Sequence, residues 1–172
     1  PAVKLRLAAY SDLINIKKIK GLSGIKVSSK SIRIGATTTH ASVASSKEVG
    51  KSIPSLAMLA DGIGDPQVRN RGTIGGSIAN NDPAADYPSA CLALNATIHT
   101  SKRKIPADKF FKGMFETDLK KGELIEEVEF EVPEKSAYSK FPNPASRYAI
   151  VGVYVAKLKK EVRVAITGAG NC

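Results

Sequence analysis

The 172 residues carry 26 Lys and Arg against 16 Asp and Glu, a formal charge of +10, with 42% hydrophobic and 24% charged residues. That balance describes a globular chain able to bury a core, and no apolar run approaches the roughly 20 residues that span a bilayer, so a cytoplasmic protein without a membrane span is expected. Aromatic residues make up only 6% and Trp is absent, so the stacking platforms of a nucleic-acid binder are lacking and the charge reads as a basic surface for acidic partners or an anionic ligand.

The opening PAVKLRLAAY mixes charge with short apolar pieces and is neither a signal-peptide core nor a transit sequence. Alternation over Ser31 to Ala36 predicts a strand broken at Gly35. Thr39 suits the cap of a helix running through HASVASSKEV to Gly50. From Pro54, the spacing of Leu56, Leu59, Ala60 and Ile63 predicts a second helix with one inward face. Residues 71 to 81, RGTIGGSIANN, gather adjacent glycines, hydroxyls and amides, and by themselves read as a tight turn or an anion site. Pro88 suits the first turn of a helix capped by Asp86 or Tyr87, with Cys91 in its buried body.

ATIHT follows as a strand, and KRKIPADKFFKGMF as loops and a short helix around Phe110 and Phe111. Over Glu127 to Val132, apolar Val128, Phe130 and Val132 alternate with glutamates, which predicts a strand with one buried and one solvated acidic face. EKSAYSKFPNPASRY reads as a connection. Ala149 to Leu158 and Val162 to Thr167 are strands joined by KLKKE. Strands and helices without strict alternation favour an α+β fold.

Side chains for metal or nucleophilic chemistry are sparse. Cys91 and Cys172 lack CxxC spacing and are expected as free thiols, while His40 and His99 stand too far apart in sequence for a shared helical face. No lysine follows Gly76, so a P-loop is excluded, and the GxGxxG pattern fails at Gly62–Ile63–Gly64. Gly168–Ala169–Gly170 follows a strand, but a lone GxG is a weak signal. Arg69 and Arg71 are equally candidates for phosphates, ion pairs or subunit contacts.

The string IGDPQVRNRGTIGGSIANNDPAADYP resembles the FAD-binding segment of the medium, flavin-carrying subunit of molybdenum hydroxylases, of the aerobic carbon monoxide dehydrogenase and xanthine dehydrogenase type. IGATTTH, GELIEEVEFEVP, YSKFPNPASRYAIVGVYVA and RVAITGAG extend the resemblance over nearly the whole chain. It implies an FAD-binding domain over residues 1 to 135, without its first glycine loop, and the truncated beginning of a C-terminal domain over 136 to 172. The backbone of Thr73, Ile74, Gly75, Gly76 and Ser77 would then hold the FAD pyrophosphate. Ile63 would touch the adenine, Asp86 would bind the adenosine end, and Asn80 and Asp82 would contact FAD or brace the loop. Ile125 matches an apolar contact to the flavin, Lys140 a cation near it, and Tyr148 an aromatic beside the isoalloxazine. Electrons would arrive from an iron–sulfur subunit, after substrate oxidation in a molybdopterin-binding large subunit, and leave to an external acceptor. The alternative is a flavin-free scaffold or assembly subunit.

Overall fold

Ile32 and Ile34 alternate with Ser31 and Arg33, and that period of two is realised as a strand with both isoleucines fully buried. In the computed structural model, which describes residues 9 to 170, it belongs to the hairpin β1 (Ile25–Val27) and β2 (Ser31–Gly35). Six helices follow: α1 (His40–Ala44), α2 (Lys47–Ser52), α3 (Pro54–Asp61), α4 (Pro66–Arg71), α5 (Ile74–Asn80) and α6 (Asp86–Ala93). Then come β3 (Thr97–Thr100), β4 (Lys104–Pro106), α7 (Ala107–Phe110), β5 (Phe111–Gly113) and β6 (Glu116–Thr117). The chain continues with β7 (Ile125–Glu131), β8 (Lys135–Pro142), β9 (Ala149–Lys157) and β10 (Val162–Thr167).

Two sheets frame the helices. One is antiparallel in the order β1-β2-β7-β3-β4, and the other is β10-β9-β8, so the α+β architecture holds. Val128, Phe130 and Ile98 bring the buried face of the first sheet into one core with Leu56, Leu59, Ile74 and Ile78 from the helices. Tyr154, Ala156 and Ala165 of the second sheet join that same core. On that second sheet the outward Val162, Val164 and Ile166 remain mostly exposed.

Several elements differ from what the sequence predicts. HASVASSKEV forms two helices, because the Ser46 hydroxyl accepts from the Val49 N–H at 3.2 Å and starts α2 afresh. The expected connection EKSAYSKFP is the full strand β8, paired along β9 from Lys135 to Pro142. Its inward Tyr138 is buried, whereas its serines and lysines gave it the composition of a loop. Acidic Glu127 and Glu129 are not merely solvated, since Arg33 reaches Glu129 at 3.2 Å and His99 reaches it at 2.9 Å. Cys91 is buried and free, as expected, and Cys172 lies outside the described residues.

Candidate functional site

The glycine stretch is a helix rather than a turn. Thr73 caps α5, its hydroxyl accepting from the Gly76 N–H at 3.2 Å, and the helix stops at Asn81, which adopts a left-handed φ of 46°. Two glycines in a first turn are poor helix formers, so tertiary contacts must hold this helix in place. Ile74 and Ile78 are fully buried, and a Cβ on Gly75 would lie 2.5 Å from the Ala36 Cβ and 2.7 Å from the Ala36 carbonyl oxygen. Gly75 therefore lets α5 seat directly on the end of β2. Gly76 has a different role: an added Cβ would meet only the Thr73 hydroxyl, at 3.1 Å, and would otherwise point into open space.

Two cavities are lined by Gly76. The larger, of about 560 Å³, is lined by Ile63, Asn80, Asp82, Asp86 and Tyr148, and the smaller, of about 240 Å³, by Ala36, Leu124 and Ile125. Thr73 and Gly76 line both, while Ser77 faces the larger and Gly75 the smaller.

Asp86 anchors the floor of the larger cavity. It is the first residue of α6, with Ala85 at the cap, so its carboxylate is not spent on capping as the sequence suggests. Instead the same oxygen, Oδ1, accepts a short hydrogen bond from the Tyr138 hydroxyl and faces Lys140 Nζ at 2.9 Å. Burial raises the Asp86 carboxyl above its ordinary range, against the opposing hydrogen bonds from Tyr138 and Lys140. Burial and the neighbouring Asp86 charge likewise push the Tyr138 phenol up, so it stays protonated as a donor.

Lys140 also donates to the Gly62 carbonyl at 2.8 Å and the Arg147 carbonyl at 3.1 Å. One ammonium thus ties α6, the α3–α4 turn and the β8–β9 turn together. The DPAAD segment before α6 is fixed as well: Asp82 Oδ1 accepts from the Ala84 N–H at 2.9 Å, and Thr167 donates to the Pro83 and Ala85 carbonyls.

A family model described as the FAD binding domain in molybdopterin dehydrogenase matches residues 1–134. The chain belongs to that family. It is 40% identical over 166 residues to the glyceraldehyde dehydrogenase medium chain of Sulfolobus acidocaldarius, covering 92% of this chain and 59% of that one. It is 37% identical over 181 residues to the carbon monoxide dehydrogenase medium chain of Hydrogenophaga pseudoflava, covering 97% and 62%. A solved structure of that organism's carbon monoxide dehydrogenase, lacking the Mo-pyranopterin moiety of the molybdenum cofactor, superposes with a TM-score of 0.89 at 36% identity, over 97% of this chain and 62% of that one. The chain therefore spans about three-fifths of the length of these relatives.

The residues singled out in the sequence divide by location. Ile63, Thr73, Gly76, Ser77, Asn80, Asp82, Asp86 and Tyr148 share the larger cavity. Ile125 lies across α5 in the smaller one, Ile74 is core, and Lys140 sits behind Asp86 without lining either cavity. Arg69 is structural, donating to the Ile63 and Gly64 carbonyls at 3.1 and 2.9 Å, whereas Arg71 lines the larger cavity.

Sequence reasoning missed three contributors. His40 lines the larger cavity under Gly72, where a Cβ would lie 2.5 Å from its Nε2. Burial lowers its pKa to about 4, and its Nδ1 has no hydrogen-bond partner among the described residues. Asn81, rather than Asn80, braces the loop, its amide donating to the Gly113 and Glu116 carbonyls at 2.7 and 2.9 Å. Its position just after the last turn of a glycine-rich helix was the available signal. Arg147 reaches the larger cavity from the β8–β9 turn with a φ of 61°.

Proposed function

We propose that this chain binds FAD as the flavin-carrying part of a cytoplasmic, molybdenum-containing oxidoreductase. Gly76 carries the reading: it is a position free of a side chain, at the start of α5, that lines both cavities. A dinucleotide needs such a close approach for its diphosphate and a separate chamber for each end.

The residues present fit that ligand. Thr73 and Ser77 hydroxyls, with the Gly76 backbone, would hold the phosphates, and Asn80 and Asp82 would offer further polar contacts. Ile63, Asp86 and Tyr148 share one cavity and would serve the same end of FAD. The three-ring isoalloxazine suits the larger, 560 Å³ cavity with its aromatic Tyr148, and the adenine suits the smaller one beside Ile125. Asp86 would accept from a ligand hydroxyl or N–H, while Lys140 orients Asp86 instead of reaching the ligand itself.

Bound FAD would supply the redox chemistry, and the protein would bind, orient and shield it. Electrons would come from an iron–sulfur subunit served by a molybdopterin-binding large subunit, and pass to an external acceptor. Its relatives named as medium chains of dehydrogenases support that assembly. Exposed Val162, Val164 and Ile166 support it too, because apolar faces of this kind mark contact surfaces. Within the chain, residues 1 to 135 would form the FAD-binding unit and 136 to 172 part of a second unit that contributes Tyr138, Lys140 and Tyr148 to the site.

Purifying the full-length protein, denaturing it and identifying the released flavin by absorbance and mass tests this reading. FAD in stoichiometric amount is expected. A folded protein that stays colourless even with excess FAD would contradict it.

A further inference from the structure

Glu123 lines the smaller cavity, and its side chain is wholly buried. A buried carboxylate beside a ligand cavity is a natural acceptor for a ligand's N–H or O–H, but this one is already engaged. Oε1 accepts from the Thr100 hydroxyl at 2.7 Å and from Arg103 Nε at 3.0 Å. Oε2 accepts from the Lys120 N–H at 2.8 Å and from Arg103 Nη2 at 3.2 Å. These donors fill the roughly four acceptor positions of a carboxylate and leave none for a ligand. Arg103 foremost, then Thr100 and the Lys120 N–H, hold its pKa at about 2, so Glu123 stays ionised.

Arg103 also reaches the other end of the same loop. It donates through Nη1 to the Asp118 carboxylate at 2.8 Å and through Nη2 to the Asp118 carbonyl at 2.6 Å. One guanidinium therefore pins both ends of residues 118 to 123, a stretch with no helix or strand to hold it. Thr100 is brought to the same point by a slip in register: β3 shifts on β7 between His99 and Thr100, so that Thr100 pairs with Ile125. Irregularities of this kind re-aim a side chain, and here the hydroxyl is aimed at Glu123.

The clamp is ionic, but what it holds is apolar. Leu119, Leu124 and Ile125, from the loop and the start of β7, line the smaller cavity. Leu124 is 46% exposed, so core packing does not fix its place. Its backbone is held instead, the carbonyl accepting from the Ser101 N–H at 2.8 Å and the N–H donating to the Ser101 hydroxyl at 3.2 Å.

We propose that Arg103 and Glu123 are positioning residues, which hold Leu119, Leu124 and Ile125 as a preformed apolar wall for one end of the dinucleotide. The proposal rests on the FAD reading above and deepens it. Glu123 acts through the wall and not on the ligand, because a loop without regular structure loses its shape once its anchors are removed.

Flavin-free full-length protein is titrated with FAD, ADP and riboflavin as wild type, Leu124→Ala, Glu123→Gln, Arg103→Leu and Arg103→Lys, each checked for folding by circular dichroism. Leu124→Ala trims the wall and leaves the clamp intact, so the half of FAD that it weakens, ADP or riboflavin, is the half seated in the smaller cavity. Glu123→Gln and Arg103→Leu should weaken FAD and that same half roughly tenfold, as loss of supporting contacts does, while the other half shifts by less than about twofold. Arg103→Lys keeps the charge without the planar fork and should fall between wild type and Arg103→Leu. Should the stronger variants fail to fold, a smaller loss confined to the same half in Arg103→Lys supports the assignment. If wild type binds FAD but Leu124→Ala changes neither half, or the folded clamp variants weaken both halves alike or neither, the positioning role is overturned and the FAD reading stands. If wild type binds no FAD, the FAD reading fails and this proposal fails with it.

Discussion

Lys140 Nζ lies 2.9 Å from Asp86 Oδ1, with both side chains more than nine-tenths buried, and it bonds the two turns that flank the larger cavity. Removing the ammonium leaves a buried carboxylate without its cation and frees both turns, so Lys140→Met should cost about 3–5 kcal/mol of stability. The pH dependence has a definite sign. Burial holds the Asp86 carboxyl above its ordinary 3.8, opposed by Tyr138 and Lys140. A carboxyl raised on folding contributes stability that is full below its unfolded pKa and is lost as pH rises through its folded pKa. Without Lys140 the carboxyl rises further, so the deficit of the variant should deepen as pH increases. Urea denaturation at several pH values measures this, and a deficit that stays constant with pH would count against the assignment.

Gly75 makes a second prediction, about packing alone. A methyl group there would sit 2.5 Å from the Ala36 Cβ and 2.9 Å from its Cα, and backbone cannot move aside cheaply. Gly75→Ala should destabilise the fold by roughly 1–3 kcal/mol despite the better helix propensity of alanine. Gain of stability in chemical denaturation would show that α5 does not seat on β2 as described.

His40 gives a third. Its pKa falls from 6.5 to about 4 through burial. A histidine lowered on folding contributes stability that is present above its unfolded pKa and is lost as pH falls toward its folded one. The melting temperature should therefore drop as pH falls from 6.5 toward 4, and His40→Gln should flatten that drop. An identical pH profile in the two proteins would place the titration elsewhere.

Where periodicity was strong, sequence and structure agree: β2, α3, β7, β9 and β10 all follow their apolar spacing. They diverge where long-range contacts override local preference. The helix α5 carries two glycines in its first turn and exists because Ile74 and Ile78 are buried and Ala36 receives Gly75. Strand β8 has a loop-like composition because Lys140 and the Tyr138 hydroxyl serve a carboxylate 54 and 52 residues earlier in the chain, leaving the Tyr138 ring as its inward apolar contribution to the core. Among the residues that line the larger cavity, Thr73, Gly76 and Asp86 were singled out from one contiguous segment and its family resemblance. His40 and Arg147 were not, since only the fold brings those separate segments to one cavity.

The central claim is that Gly76 is bare because a ligand's diphosphate passes over it. By helix propensity valine is no worse than glycine, so Gly76→Val should leave the fold intact, yet its side chain would stand at a position that lines both cavities. Flavin content per folded chain, read from absorbance after purification with excess FAD, tests the claim most directly. Near-stoichiometric flavin in wild type and almost none in a folded Gly76→Val variant is the expected result; equal flavin in both would contradict the account.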